Sequence, residues 1–167
     1  MTSWEGVLTG LVQQRGTALK RYGYLLCGDS SEAEDLVQEA LVRTFSSARR
    51  TEVGQVEGYV RTVMLRLYLD RTRRRNLWRR IQPLAAPAPQ PDQHAYADLR
   101  GDLGRALREL SARQRACVVL HYYLDLSVQE CADLLDLKPG AVKRYLYEAR
   151  SRLAERLGPP EPAREEH

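Results

Sequence analysis

The chain has 167 residues, 43% of them hydrophobic and 29% charged, with a net charge of +4. That composition fits a folded globular protein of one domain or two small ones. No apolar run approaches the roughly 20 residues of a membrane span, and MTSWEGVLTG lacks the basic-then-apolar order of a signal peptide, so a cytoplasmic protein without membrane insertion is expected.

Charge is placed unevenly. Asp29 to Glu39 holds five acids and no base, whereas Arg61 to Arg80 holds eight arginines and one acid. An acidic block beside a basic one points to two different partners, one of them anionic. Cys27, Cys117 and Cys131 are an odd number without a CxxC spacing, which argues against a disulfide framework.

Leu8, Leu11, Val12, Leu19, Tyr22, Leu25 and Leu26 recur every three or four residues, predicting a first amphipathic helix to about Cys27. GDSS at 28–31 ends it, and Ser31 with Glu34 reads as a capping box for a second helix. That helix is expected to bury Ala33, Leu36, Val37, Ala40, Leu41, Thr44 and Phe45 and to expose Glu32, Asp35, Gln38, Glu39 and Arg43. Taken alone, the exposed acids are explained by solvation and by the positive end of the helix dipole. Residues 46 to 57 lack periodicity and contain Gly54, so they read as a loop.

A third helix is predicted from about Gly58, with Tyr59, Val60, Val63, Met64 and Leu67 as its buried stripe. Beyond Asp70 the stripe fades into RTRRRNLWRR, six arginines in ten residues with Trp78 among them. Core packing does not call for such a segment. Phosphate attraction accounts for the arginines, and stacking on a base or on the domain accounts for Trp78.

Residues 81–97 hold four of the eight prolines, which preclude a helix and favour an extended chain. At about 3.1 Å per residue such a linker spans on the order of 50 Å. The expected organisation is therefore all-α: a first helical domain at 1–80, the Pro-rich linker, a second at 98–158, and a disordered tail at 159–167. In the second domain Leu99, Leu103, Ala106, Leu107 and Leu110 mark one helix. Ser111 and Gln114 cap the next, which buries Ala116, Val119, Leu120 and Tyr123. Ser127 with Glu130 starts a short helix carrying Val128, Cys131, Ala132 and Leu135, and Pro139 opens a last one with Val142, Leu146, Ala149 and Leu153 inward. The pair reads as a helix-turn-helix whose second helix exposes Lys143, Arg144, Tyr147, Glu148 and Arg150, a face suited to a DNA major groove.

An acidic-faced helix, a loop, an arginine-rich helix, a Pro-rich linker and a helix-turn-helix, in this order, resemble the bacterial sigma factors of the extracytoplasmic-function type, which carry only regions 2 and 4. The resemblance covers about Leu8 to Leu157. It rests chiefly on EAEDLVQE at 32–39 and on LRELSARQRACVVLHYYLDLSVQECADLLDLKPGAVKRYLYEARSRL at 107–153.

The resemblance implies a transcription initiation factor that binds RNA polymerase core through its β′ clamp helices and β flap, and that guides it to promoter DNA. By the same resemblance Asp35, Gln38 and Glu39 match the polymerase-docking face. Arg49 and Arg50 lie in the loop that captures a flipped base of the −10 element. Tyr59, Arg66, Arg73, Arg74 and Arg75 fall on the helix that reads and melts that element's upstream edge. Lys143, Arg144, Tyr147 and Glu148 fall where the −35 element is read. Arg66 stands where relatives often carry asparagine, and Glu148 where they often carry arginine. An anti-sigma factor is a further expected partner, because both working faces stay open until used.

No cofactor is expected, and no enzymatic activity: the chain has no Gly-rich phosphate loop and no G-x-S-x-G. Cys117, His121 and Cys131 form the best metal candidate, but both cysteines also fit core positions, so no metal is expected. The rival functional reading is a stand-alone helix-turn-helix regulator, which leaves EAEDLVQE without a task.

Overall fold

The computed structural model describes residues 4–46, 53–81 and 101–158. Among these residues there are seven α-helices and no strand: α1 (Trp4–Cys27), α2 (Ser30–Ser46), α3 (Val53–Ile81), α4 (Asp102–Glu109), α5 (Ala112–Val118), α6 (Val128–Leu135) and α7 (Pro139–Leu157). They fall into two compact units that divide between residues 95 and 96. The expected loop residues 47–52, the linker residues 82–97 and the tail 159–167 lie outside the described residues, as do Arg49, Arg50 and Leu99.

In the first unit α1, α2 and α3 each pack against the other two. Leu11, Leu19, Tyr22 and Leu26 from α1, Leu36 and Ala40 from α2, and Val56, Val60, Met64 and Leu65 from α3 make the core. At Gly23 the helices approach one another closely. A Cβ there would sit 3.2 Å from Met64 Cε and 3.3 Å from both Ala33 Cβ and the Ala33 carbonyl oxygen. Burial drives the Tyr22 phenol well above its ordinary pKa, so it stays neutral in this core.

Two local expectations change. The second helix is capped by Asp29, not by Ser31. The Asp29 carboxylate accepts from the N–H groups of Ser31 at 2.8 Å and Glu32 at 3.3 Å, and so satisfies two of the donors a helix start leaves free. The third helix starts at Val53, five residues before the expected Gly58, and continues through the arginine run to Ile81. Val56 explains the early start: it is buried four residues ahead of Val60, so the apolar repeat already runs through the supposed loop.

In the second unit α7 is the central helix and packs against α4, α5 and α6. Ala106, Leu107, Ala116, Cys117, Val119, Leu120, Cys131, Ala132, Val142, Leu146 and Ala149 form its core. Tyr123, expected inside, is exposed. The cause is a π-helical turn at Val119–Tyr123 that ends α5, with the Leu124 N–H reaching back to the Val119 carbonyl at 3.1 Å. The extra residue per turn shifts the helical phase, so Tyr123 no longer stacks on the face of Val119. Ser111 and Gln114 form the full capping box of α5, and Ser127 Oγ caps α6 through the Glu130 N–H at 3.0 Å. Asp136, in the left-handed conformation at φ 54°, turns the chain after α6, and Pro139 starts α7.

Candidate nucleic-acid interface

The acidic block and the basic block face each other. On α2, Glu39 accepts from Arg43 Nη2 at 2.8 Å and from Arg71 of α3, and Glu32 accepts from Arg75 of α3. The Arg71 guanidinium bonded to Glu39 holds that carboxyl below its usual range. Asp35 and Gln38 differ from Glu39. Both are exposed, and neither has a partner among the described residues. The three side chains expected on one docking face therefore split into two open groups and one engaged in holding α2 to α3.

The arginines of α3 split in the same way. At 100° per residue, Tyr59, Arg66, Arg73 and Arg74 lie within about 60° of Tyr59 around the helix, whereas Arg75 lies about 160° away. Tyr59 is 52% exposed, although its spacing had placed it in the buried stripe. Arg66 and Arg74 are exposed with no partner among the described residues, and Arg73 makes only a 3.6 Å contact to Asp70. Leu77 and Ile81 extend this exposed stripe, and Trp78 stands beside it, also open. The arrangement is a ridge of cations with one aromatic side chain, Tyr59, and two aliphatic ones, Leu77 and Ile81, on it. Such a ridge can hold a phosphate backbone and stack or wedge against bases. Arg75 belongs instead to the contact with α2.

On α7, Lys143, Tyr147 and Arg150 share the outer face within about 60° of one another. Tyr147 is 67% exposed. Arg144 lies to the side of that face, its guanidinium carbon 5.2 Å from the centre of the Tyr145 ring and its Nε 3.8 Å from Glu148 Oε1. Glu148 is half-buried, and its Oε2 accepts from Gln114 Nε2 at 2.9 Å. Spacing alone put Glu148 with the other exposed polar residues of the helix. Its partner lies 34 residues earlier in the chain and left no local signal. Farther along α7, Arg152 donates to the Glu109 carbonyl at 3.1 Å and Arg156 forks onto the Glu109 carboxylate, tying the helix to the end of α4.

The residues considered for a metal are accounted for by packing. Burial pushes the Cys117 thiol up to about 12 and raises that of Cys131 as well, as for neutral thiols packed in an apolar core. His121 Nδ1 is 2.7 Å from the Leu126 carbonyl, an acceptor, so that nitrogen carries the proton. Among the described residues no cluster of three or more His, Cys, Asp or Glu side chains is placed to hold a metal, and no helix is long and apolar enough to cross a membrane.

Comparison with known proteins matches both units to one family. Residues 11–77 match Sigma-70 region 2, and residues 100–153 match Sigma-70, region 4. The chain is 34% identical over 168 residues to the ECF RNA polymerase sigma factor SigE of Mycolicibacterium smegmatis, covering 94% of this chain and 62% of that protein. It is 33% identical over 150 residues to the RNA polymerase sigma-E factor of Streptomyces coelicolor, covering 87% of this chain and 83% of that one. The fold is similar to that of the sigma factor RpoE of Bartonella quintana, solved in complex with the anti-sigma factor NepR. The TM-score is 0.64 at 24% identity, over 90% of this chain and 96% of that one.

Proposed function

This chain belongs to the extracytoplasmic-function branch of the sigma-70 family, and on that premise we propose that it directs RNA polymerase core to specific promoters in the cytoplasm. The observation that carries the proposal is the presence of both family regions in one chain, each on its own helical unit. The first unit docks on core polymerase through the open edge of α2, with Asp35 and Gln38 as contacts to a basic partner surface, and Glu39 shapes that edge through its ties to Arg43 and Arg71. The ridge of α3, with Tyr59, Arg66, Arg73 and Arg74, receives the −10 DNA.

Opening a duplex costs stacking energy, which is recovered by holding the separated bases against protein groups while cations take the phosphates. The second unit reads intact −35 duplex through the major groove with Lys143, Arg144 and Tyr147. Neither unit needs to bind tightly, because polymerase holds both and raises the effective concentration of each at its site. Phosphoryl transfer stays with the polymerase. An anti-sigma partner covering the open α2 edge and α3 ridge is part of the proposal.

A stand-alone regulator explains only the second unit and leaves the region 2 match without a task. Run-off transcription from a genomic promoter library, with core polymerase alone and with the chain added, tests the proposal. Discrete promoter-specific transcripts that require the chain are the expected result. A chain that shifts promoter DNA tightly without core, and adds no transcripts, overturns it.

A further inference from the structure

Glu148 is the one acid among the side chains expected to read DNA, and a carboxylate beside phosphates is repelled. Its surroundings account for it. Gln114 is only 5% exposed, and its carboxamide oxygen accepts from the Ser111 N–H at 3.1 Å as part of the α5 cap. That fixes the orientation of the amide, so its NH2 points away from the cap and needs an acceptor. Glu148 Oε2 supplies one at 2.9 Å. A lysine or arginine at this position would set a donor against a donor. The other oxygen, Oε1, stands 3.8 Å from Arg144 Nε, and the Arg144 guanidinium lies near the Tyr145 ring. Arg144 is thus bracketed by an anchored carboxylate and an aromatic face, whereas Lys143 on the outer face has no partner among the described residues.

We infer that Glu148 is a positioning residue for promoter reading: anchored by Gln114, it holds Arg144 in one orientation toward the groove and away from the phosphates. It touches no base itself. The inference rests on the −35 reading proposed above. A free arginine adds affinity for any DNA. A bracketed one gives up part of that attraction, and its N–H groups are aimed, which favours discrimination between sequences over affinity.

The test uses holoenzyme reconstituted from core polymerase and the full-length chain, wild-type or carrying Arg144→Ala, Glu148→Gln or Glu148→Ala. Each is put through selection on a promoter library randomised across the −35 region. The selected duplexes are then titrated at several salt concentrations, and the thermal midpoint of each free chain is measured. Arg144→Ala should flatten base preference at one or two positions. Glu148→Gln keeps an acceptor for Gln114 and removes the negative charge that faces Arg144. It should leave the midpoint near the wild type, flatten the same positions about fivefold or more, and steepen the salt slope by about 1 as Arg144 turns to a phosphate. Glu148→Ala should flatten them as well and also lower the midpoint, because the buried Gln114 amide loses its acceptor.

Wild-type preference and slope in Glu148→Gln would overturn the inference. So would flattening at a position that Arg144→Ala leaves sharp, since Glu148 would then read a base itself. If wild-type holoenzyme shows no −35 preference, the promoter-reading proposal falls and takes this inference with it. If it shows one that only Arg144→Ala disturbs, the inference alone falls.

Discussion

The arginines of α3 can be separated by a matched-charge experiment. Arg73→Ala with Arg74→Ala removes two charges from the exposed ridge, and Arg71→Ala with Arg75→Ala removes two from the contact with α2. Each ridge arginine that neutralises a phosphate contributes about 0.9 to the slope of log affinity against log salt, so the ridge variant should lose about 1.8. Over a fourfold range of salt that difference changes the relative affinity by about 12-fold. The ridge positions lack cross-helix partners among the described residues, so stability should change by no more than about 0.5 kcal/mol.

The inner variant should behave in the opposite way. It breaks the pairs with Glu39 and Glu32, which are partly exposed and are each worth about 0.2–1 kcal/mol, while its salt slope stays near the wild type. Fluorescence anisotropy of holoenzyme on a labelled promoter, with core polymerase at saturation, gives the slopes, and urea unfolding of the free chain gives the stabilities. Net charge is the same in both variants, so equal slopes would refute the division of α3 into a DNA side and an α2 side.

The remaining predictions concern docking, acid stability and packing. Asp35→Lys should weaken binding to core polymerase at least tenfold, an order of magnitude expected for opposing charges at an interface, and leave the urea midpoint unchanged; wild-type affinity for core would remove Asp35 from the docking edge. Glu39 has a lowered folded pKa because of Arg71, so its contribution to stability is complete above the unfolded carboxylate value near about 4.3 and is lost as pH falls through the lower folded value. The drop in urea midpoint from neutral pH to below that window should therefore be smaller in Glu39→Gln than in the wild type, and an equal drop would contradict the pairing. Gly16→Ala, whose new Cβ meets only Val12 Cγ1 at 3.9 Å, should stabilise α1 by up to about 1 kcal/mol. Gly23→Ala should instead lose on the order of 1 kcal/mol in thermal or urea unfolding, because the Ala33 carbonyl cannot move aside as the Met64 methyl can; a gain there would mean that α1 and α2 separate freely.

What the sequence made legible follows from the range of each signal. Helix identity and phase are local, and apolar spacing alone identified most of the side chains that α1, α2, α6 and α7 bury. The start of α3 is legible in Val56, four residues ahead of Val60, but Gly54 in the same stretch gives a competing loop signal. Tyr59 and Tyr123 were misplaced for a different reason. Alternation around a helix does not say where a neighbouring helix ends or where a π-turn shifts the phase. Facing charges are harder still. The sequence displays an acidic block and a basic block, but how α3 is rotated against α2 depends on core packing between the helices, and the pairing of Glu39 with Arg71 depends on that rotation.

Glu148 shows how such a long-range pairing alters a functional reading. Within α7 it is one more polar residue on a helix suited to DNA, and its negative charge is an anomaly there. Once Gln114 is fixed by its own cap, an acceptor at 148 is what the amide requires, and the anomaly becomes a constraint joining two positions. A glutamate at 148 is then a statement about residue 114 before it is one about DNA. Exchanging it for a basic residue while Gln114 remains leaves a buried donor unpaired, which costs about 1–3 kcal/mol. The identity of residue 148 on α7 is therefore set in part by the helix that supports it, and under the −35 reading proposed above a change of promoter preference at Arg144 should be reachable from either side of that contact.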